Sequence, residues 1–157
     1  MFTSQRLKAV PAPGAVEVRE QRLDEVVHQL EVRGSVSPEN VGEVARRIDR
    51  ALQAGVRWLI VDIAGADPVS DPMLHALVAT ARECRTRRGE VIVTGATPAV
   101  TARLTAFDQA ERPAMAASVD QAIIILKMLR PKTQLGGRAR QRVTSLTLPR
   151  IEPRPLG

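Results

Sequence analysis

Between residues 37 and 94 the chain twice follows a stretch of helical spacing with a short, almost unbroken apolar run, and this alternation restricts the fold more than any other feature. Val41, Val44, Ala45, Ile48 and Leu52 recur on one helix face, and Gly55 closes the segment. Trp58-Leu59-Ile60-Val61 follows without a polar residue, the pattern of a strand covered on both sides. Leu74, Leu77, Val78, Ala81 and Cys84 then form a second stripe ending near Gly89, and Val91-Ile92-Val93 lies at the centre of a second buried strand, residues 90–94. Strands hidden on both faces need helices to hide them, which points to an α/β layer architecture.

The helix starts have a common form. Ser37-Pro38-Glu39, Asp71-Pro72 and Thr97-Pro98 each set a capping residue before a proline. The third of these helices carries Val100, Leu104 and Phe107, and Ala114-Met115-Ala116 reads as one last short strand. Ser118 with Gln121 three residues later is a capping box for a final helix reaching about residue 129. Upstream, Val16-Glu17-Val18-Arg19 alternates as a strand. Val26, His28, Leu30 and Val32 fall on one face of a second strand ending at Gly34, with the charged residues 20–25 between the two. The expectation is a single α/β domain over residues 14–129, a mixed central sheet with helices packed against it. A loose lead-in (1–13) precedes it and a flexible basic tail (130–157) follows.

The net charge of +6 belongs wholly to that tail: residues 129–157 carry seven basic side chains and one acidic, whereas residues 1–128 balance at 16 of each. A neutral body with a basic appendage argues less for nucleic acid than a basic fold would. The only aromatic side chains besides histidine are Phe2, Trp58 and Phe107, too few for a base-stacking platform. The longest apolar run, five residues from Ala122 to Leu126, is far short of a membrane span, and the N-terminus lacks the apolar core of a signal peptide. The lone Cys84 makes no internal disulfide, which fits a reducing cytoplasm.

Catalytic and cofactor motifs do not emerge. There is no Walker loop, GxGxxG or GxSxG, and Gly136-Gly137 has no strand before it. One cysteine and two histidines without HxxxH or CxxC spacing give no metal site. His28 reads as a core or edge histidine, and His75 as a solvated residue off its helix's apolar stripe. Asp62 and Asp67 bracket the loop after the central strand, where α/β folds place ligands, but with no partner residue they read as a strand-end acid and a turn residue. No enzyme and no cofactor are expected.

The run Val61-Asp62-Ile63-Ala64-Gly65-Ala66-Asp67-Pro68-Val69-Ser70-Asp71-Pro72-Met73-Leu74-His75-Ala76-Leu77 resembles the signature of the STAS domain, the fold of bacterial anti-sigma factor antagonists. That family's usual run is a strand ending L-D-L-S-G, four loop residues, and D-S-S-G-L-x-x-L opening a helix; Asp62, Gly65, Leu74 and Leu77 match it. Val32-Arg33-Gly34 is similar to the family's G-x-L-D turn, residues 88–95 to its G-G-x-L-x-L-x-G stretch, and residues 114–122 to its late short strand and S-x-x-x-A helix. The resemblance covers residues 15–129.

It implies a non-enzymatic, cytoplasmic regulatory module in a partner-switching relay that controls transcription. Its partner would be an anti-sigma factor or GHKL-type serine kinase, bound through Ser37, Ser70, Asp71, Met73 and His75. The chain departs from the family where the switch is thrown. Asp71 stands at the position of the serine that a partner kinase phosphorylates, Ser70 at the preceding aspartate, Pro72 and Met73 at the two usually small positions, and Ser37 at the aspartate of G-x-L-D. Asp71 could supply a permanent charge in place of phosphate, making binding independent of phosphorylation, or it could be only a helix cap; the readings are compatible. Ser70, one residue out of register, is a weaker acceptor. The nearly all-apolar last helix, with Ile123, Ile124, Ile125 and Leu126, is either buried or an interface for a homo-oligomer. Two rival functions remain, a nucleic-acid-associated protein acting through the tail and a STAS domain that binds a small ligand at the sheet's carboxyl edge.

Overall fold

The computed structural model describes residues 15–130. Contacts divide the chain into two units, one running to Ile123 and the other beginning at Ile124. The elements are β1 (Val16–Asp24), β2 (Val27–Val36), α1 (Val41–Gln53), β3 (Trp58–Val69), α2 (Asp71–Thr86), β4 (Glu90–Thr94), α3 (Pro98–Thr105), β5 (Ala114–Ala116) and α4 (Val119–Leu129). The strands lie side by side in chain order; β1 is antiparallel to β2, and every other neighbouring pair is parallel. This is the mixed α/β sheet the alternation implies.

Each parallel crossover moves one strand further in the same direction, so right-handed connections put α1, α2 and α3 on one face. The core on that face joins Leu30 and Val32 of β2, Leu59, Val61 and Ile63 of β3, and Val91 and Val93 of β4 to the helices. The helices contribute Val44, Ile48 and Leu52 of α1, the whole expected stripe of α2 from Leu74 to Cys84, and Val100 and Leu104 of α3. Alternate residues Val27, Trp58, Ile60 and Ile92 are also buried, which explains why β3 and β4 lack polar alternation.

Several boundaries differ from the expectation, each for a local reason. α1 begins one turn late, at Val41: Pro38 and Glu39 lie in a turn whose last residue, Asn40, is the helix N-cap. Asn40 stitches that turn, its Oδ1 accepting from the Ser37 amide at 2.8 Å and its Nδ2 donating to the Ser35 carbonyl at 2.7 Å. The Ser37 hydroxyl therefore caps no helix. Residues 20–24 extend β1 rather than forming a connector, and the reversal is confined to Glu25 and Val26. Beyond Val61, β3 continues to Val69 beside β2 through two register shifts, where the sequence suggested a loop. α2 ends at Thr86, and the left-handed residue after it is Arg88, with φ of 65°, not Gly89. Gly89 is needed for close approach instead: a Cβ there would sit 1.7 Å from the Arg57 carbonyl oxygen.

The hairpin edge is tied down by charge. Glu20 accepts a 2.6 Å hydrogen bond at its Oε2 from Nδ1 of His28, which lies on the internal strand β2 and not at the sheet edge, and Arg47 of α1 lies 3.6 Å from the same carboxylate. Arg47 also donates to the Val18 carbonyl at 3.2 Å, occupying part of the edge strand's backbone. The capping box of α4 forms, Ser118 Oγ accepting from the Gln121 amide at 3.1 Å and Gln121 accepting from the Ala117 amide at 2.6 Å. On α4, Ala122 and Leu126 are buried, Ile123 and Ile125 half-buried, and Ile124, Met128 and Leu129 exposed. The lead-in 1–13 and residues 131–157 of the tail lie outside the described residues.

Candidate functional site

The ends of β2 and β3 and the start of α2 meet at the sheet's carboxyl edge. The Ser70 amide donates to the Val36 carbonyl at 2.9 Å, so Ser37 lies directly beside the first turn of α2. Ser70, rather than Asp71, is the N-cap. It caps through its backbone: its carbonyl accepts from the Met73 amide at 3.0 Å, and the neighbouring proline offers no N–H. The Ser70 hydroxyl oxygen is buried and has no hydrogen-bond partner among the described residues. A buried hydroxyl is poorly presented to a kinase.

Asp71 is the first residue of α2, where a negative charge is favoured by the helix dipole. Its side chain is 75% exposed, so it faces outward from the corner. Arg103, thirty-two residues further on in α3, reaches back to it: Nη2 lies 2.5 Å from Asp71 Oδ1, and Nη1 donates to the Val69 carbonyl at 2.9 Å. The guanidinium fork thus bridges the residues on either side of Ser70. The hydrogen bond from Arg103, and then its charge, hold the Asp71 carboxyl below the ordinary carboxylate range; His75 one turn on adds a smaller effect in the same direction. Arg103 was not among the residues singled out in the sequence, and nothing local to it marks it, because its partners come from a distant segment.

Of the five residues expected to contact a partner, Asp71 and His75 are exposed and one turn apart, and Ser37 and Ser70 are half-buried beside them. Met73 does not join them. It is fully buried in the core, because the third residue of α2 turns under the sheet face, and it is corrected here from a contact to a packing residue. The His75 ring stands edge-on to Phe107, with centroids 5.3 Å apart at 84°, an arrangement that fixes its direction while leaving it solvated. Asp62 accepts from the Ala64 amide at 3.1 Å, but because β3 runs on to Val69 it lies within the strand and not at its end; Asp67, read as a turn residue, is likewise within β3 and exposed.

The same edge of the sheet holds an open, uncharged cleft of about 390 Å³ lined by Gly95, Ala96, Thr101, Met115, Ala116 and Gln121. Gly95, at φ of 76°, lies so close to Ala64 that a Cβ would approach Ala64 Cβ to 2.5 Å, which locks the end of β4 against β3. Among the described residues no cluster of three or more His, Cys, Asp or Glu could hold a metal, and no helix is long and apolar enough to cross a membrane. Cys84 is a free, buried thiol in α2.

Comparison with known proteins gives this geometry its family. No curated protein matches the sequence. Among solved structures, an anti-sigma factor antagonist from Mycobacterium paratuberculosis superposes with a TM-score of 0.63 at 17% identity, covering 75% of this chain and 99% of that one. A variant of RsbS from Moorella thermoacetica gives 0.60 at 19% identity, over 71% and 96%. The phosphorylated form of the Bacillus cell-fate determinant SpoIIAA gives 0.58 at 13%, over 73% and 100%. At these identities the likeness is one of fold. The family model of the STAS domain matches residues 18–122, most of the chain, and the protein belongs to the STAS domain family.

Proposed function

We propose that this protein is a non-enzymatic cytoplasmic antagonist in a partner-switching relay, binding an anti-sigma factor or GHKL-type serine kinase without being switched by phosphorylation. The reading rests on one observation: at the start of α2 in this STAS domain, both serine positions of the family's D-S-S run are filled by residues without a hydroxyl, Asp71 and Pro72. The remaining serine nearby, Ser70, has its hydroxyl oxygen buried. Ser37, Asp71 and His75 would form the contact surface, with the exposed turn at Pro38 and Glu39 and the exposed Asp67 and Pro68 beside them. Domain limits of 14–129, and self-association through the exposed Ile124 and Met128 of α4, belong to the same proposal.

The test is complex formation with a purified GHKL-type serine kinase anti-sigma factor encoded in the same genome, measured with and without Mg-ATP. The expected result is a complex that survives ATP and carries no label on this chain. The double substitution Asp71→Ser with Pro72→Ser should acquire ATP-dependent labelling and release. Labelling of the wild-type chain would overturn phosphorylation independence, and absence of any complex would overturn the choice of partner.

A further inference from the structure

Arg103 of α3 stands in contact with Asp71 at the start of α2. We infer that it holds the carboxylate as half of a neutral pair, so that the α2 corner presents the charge of an unmodified surface and not that of a phosphorylated one. The inference deepens the docking reading above and rests on it.

A lone carboxylate at a helix start would resemble phosphoserine in sign, though not in size: one charge against about 1.5 to 2, and two oxygens against three. Here one of the two oxygens is taken by Nη2 of Arg103 at 2.5 Å, and the unit charge has its counter-charge in direct contact. The arginine does not depend on Asp71 alone for its position. Its Nη1 is anchored on the Val69 carbonyl at 2.9 Å. The helix that carries it is fixed at its start by the Thr97 hydroxyl, which accepts from the Val100 amide at 3.2 Å, and near its end by the fully buried Leu104. A guanidinium held in this way costs little further ordering when water is expelled by a partner. His75 is the other titratable group that acts on Asp71, and its effect is the smaller.

Docking removes solvent screening, and there the difference becomes large. A bare charge buried against a partner surface that offers no counter-charge is penalised, whereas a pair already in contact enters as a neutral unit. Arg103 is therefore a specificity-determining residue: with it the corner is read as unphosphorylated, and without it Asp71 presents a bare negative charge, like phosphate in sign.

Titration calorimetry with the same purified kinase tests this on four full-length proteins: wild type, Arg103→Gln, Asp71→Asn and the double variant, each first shown to be folded by its thermal melt. Arg103→Gln should weaken binding about tenfold or more, because it exposes the bare carboxylate. Adding Asp71→Asn to it should restore affinity to within about twofold of wild type, since no charge is then left to repel. A structural role for Arg103 alone would leave the double variant as weak as the single one and would overturn the inference. So would unchanged binding by Arg103→Gln, or Asp71→Asn binding about tenfold tighter than wild type, the mark of a charge that already repels. If the wild type itself does not bind, the docking reading fails at the first titration and the inference falls with it.

Discussion

Replacing Gly89 with alanine tests the packing that aligns the two central strands. The added Cβ would lie 1.7 Å from the Arg57 carbonyl oxygen, and reaching even 3.0 Å requires the two segments to part by about 1.3 Å. Neither is free to move. The Arg57 carbonyl accepts from the Glu90 amide at 3.0 Å where the β3–β4 ladder begins, and the Gly89 amide donates to the Cys84 carbonyl at 2.7 Å. Breaking the first bond costs about 1 kcal/mol. Forcing an extra carbon into a close-packed site adds about 1–3 kcal/mol. The expected loss is about 2–4 kcal/mol, which for a domain of this size lowers the melting temperature by about 8–16 °C. Urea unfolding followed by far-UV circular dichroism measures it, with the m-value checked for two-state behaviour. Gly42 is the control. Nothing lies within 4 Å of its ideal Cβ and it sits inside α1, so Gly42→Ala should gain about 0.5–1 kcal/mol. A Gly89→Ala protein within about 0.5 kcal/mol of wild type would refute the reasoning.

Other consequences are more quickly checked. Met73→Ala should cost about 2–4 kcal/mol in urea unfolding while leaving partner affinity within about twofold, because a fully buried side chain is lost and no contact surface. Burial pushes the Cys84 thiol up to about 11, so a disulfide-exchange reagent at pH 8 should find no reactive thiol until denaturant is added; fast labelling of the native protein would contradict its placement. The Asp71 carboxyl titrates below its ordinary value in the folded chain, so its contact with Arg103 favours folding above that ordinary value and is lost as the pH falls through the depressed one. Carboxyl-carbon NMR should follow this, and Arg103→Gln should move the midpoint upward; no movement would exclude the pairing.

Much of the scaffold was legible because it is written in local patterns. Uninterrupted apolar runs at residues 58–61 and 91–93 announced strands covered on both sides, and the stripe from Leu74 to Cys84 is buried as its spacing implies. The Thr97 and Ser118 caps form as expected, since a hydroxyl two or three residues before a free amide needs no tertiary help. Proline before an acidic residue misled at Ser37, where Asn40 bonds back across the turn and delays the helix. Met73 falls at a motif position expected to meet a partner yet is buried, because position in a motif does not say which way a helical side chain turns. Arg103 was invisible for a different reason: its importance lies entirely in a contact between segments thirty-two residues apart, which no spacing in the chain encodes.

The most direct test of the account is amide hydrogen exchange on the complex with the serine-kinase anti-sigma factor, compared with the free protein. New protection is expected at residues 37–40, at 64–72 and around His75, with α4 unchanged. Protection confined to α4 or to residues beyond 130, with the α2 corner exchanging as in the free chain, would contradict it.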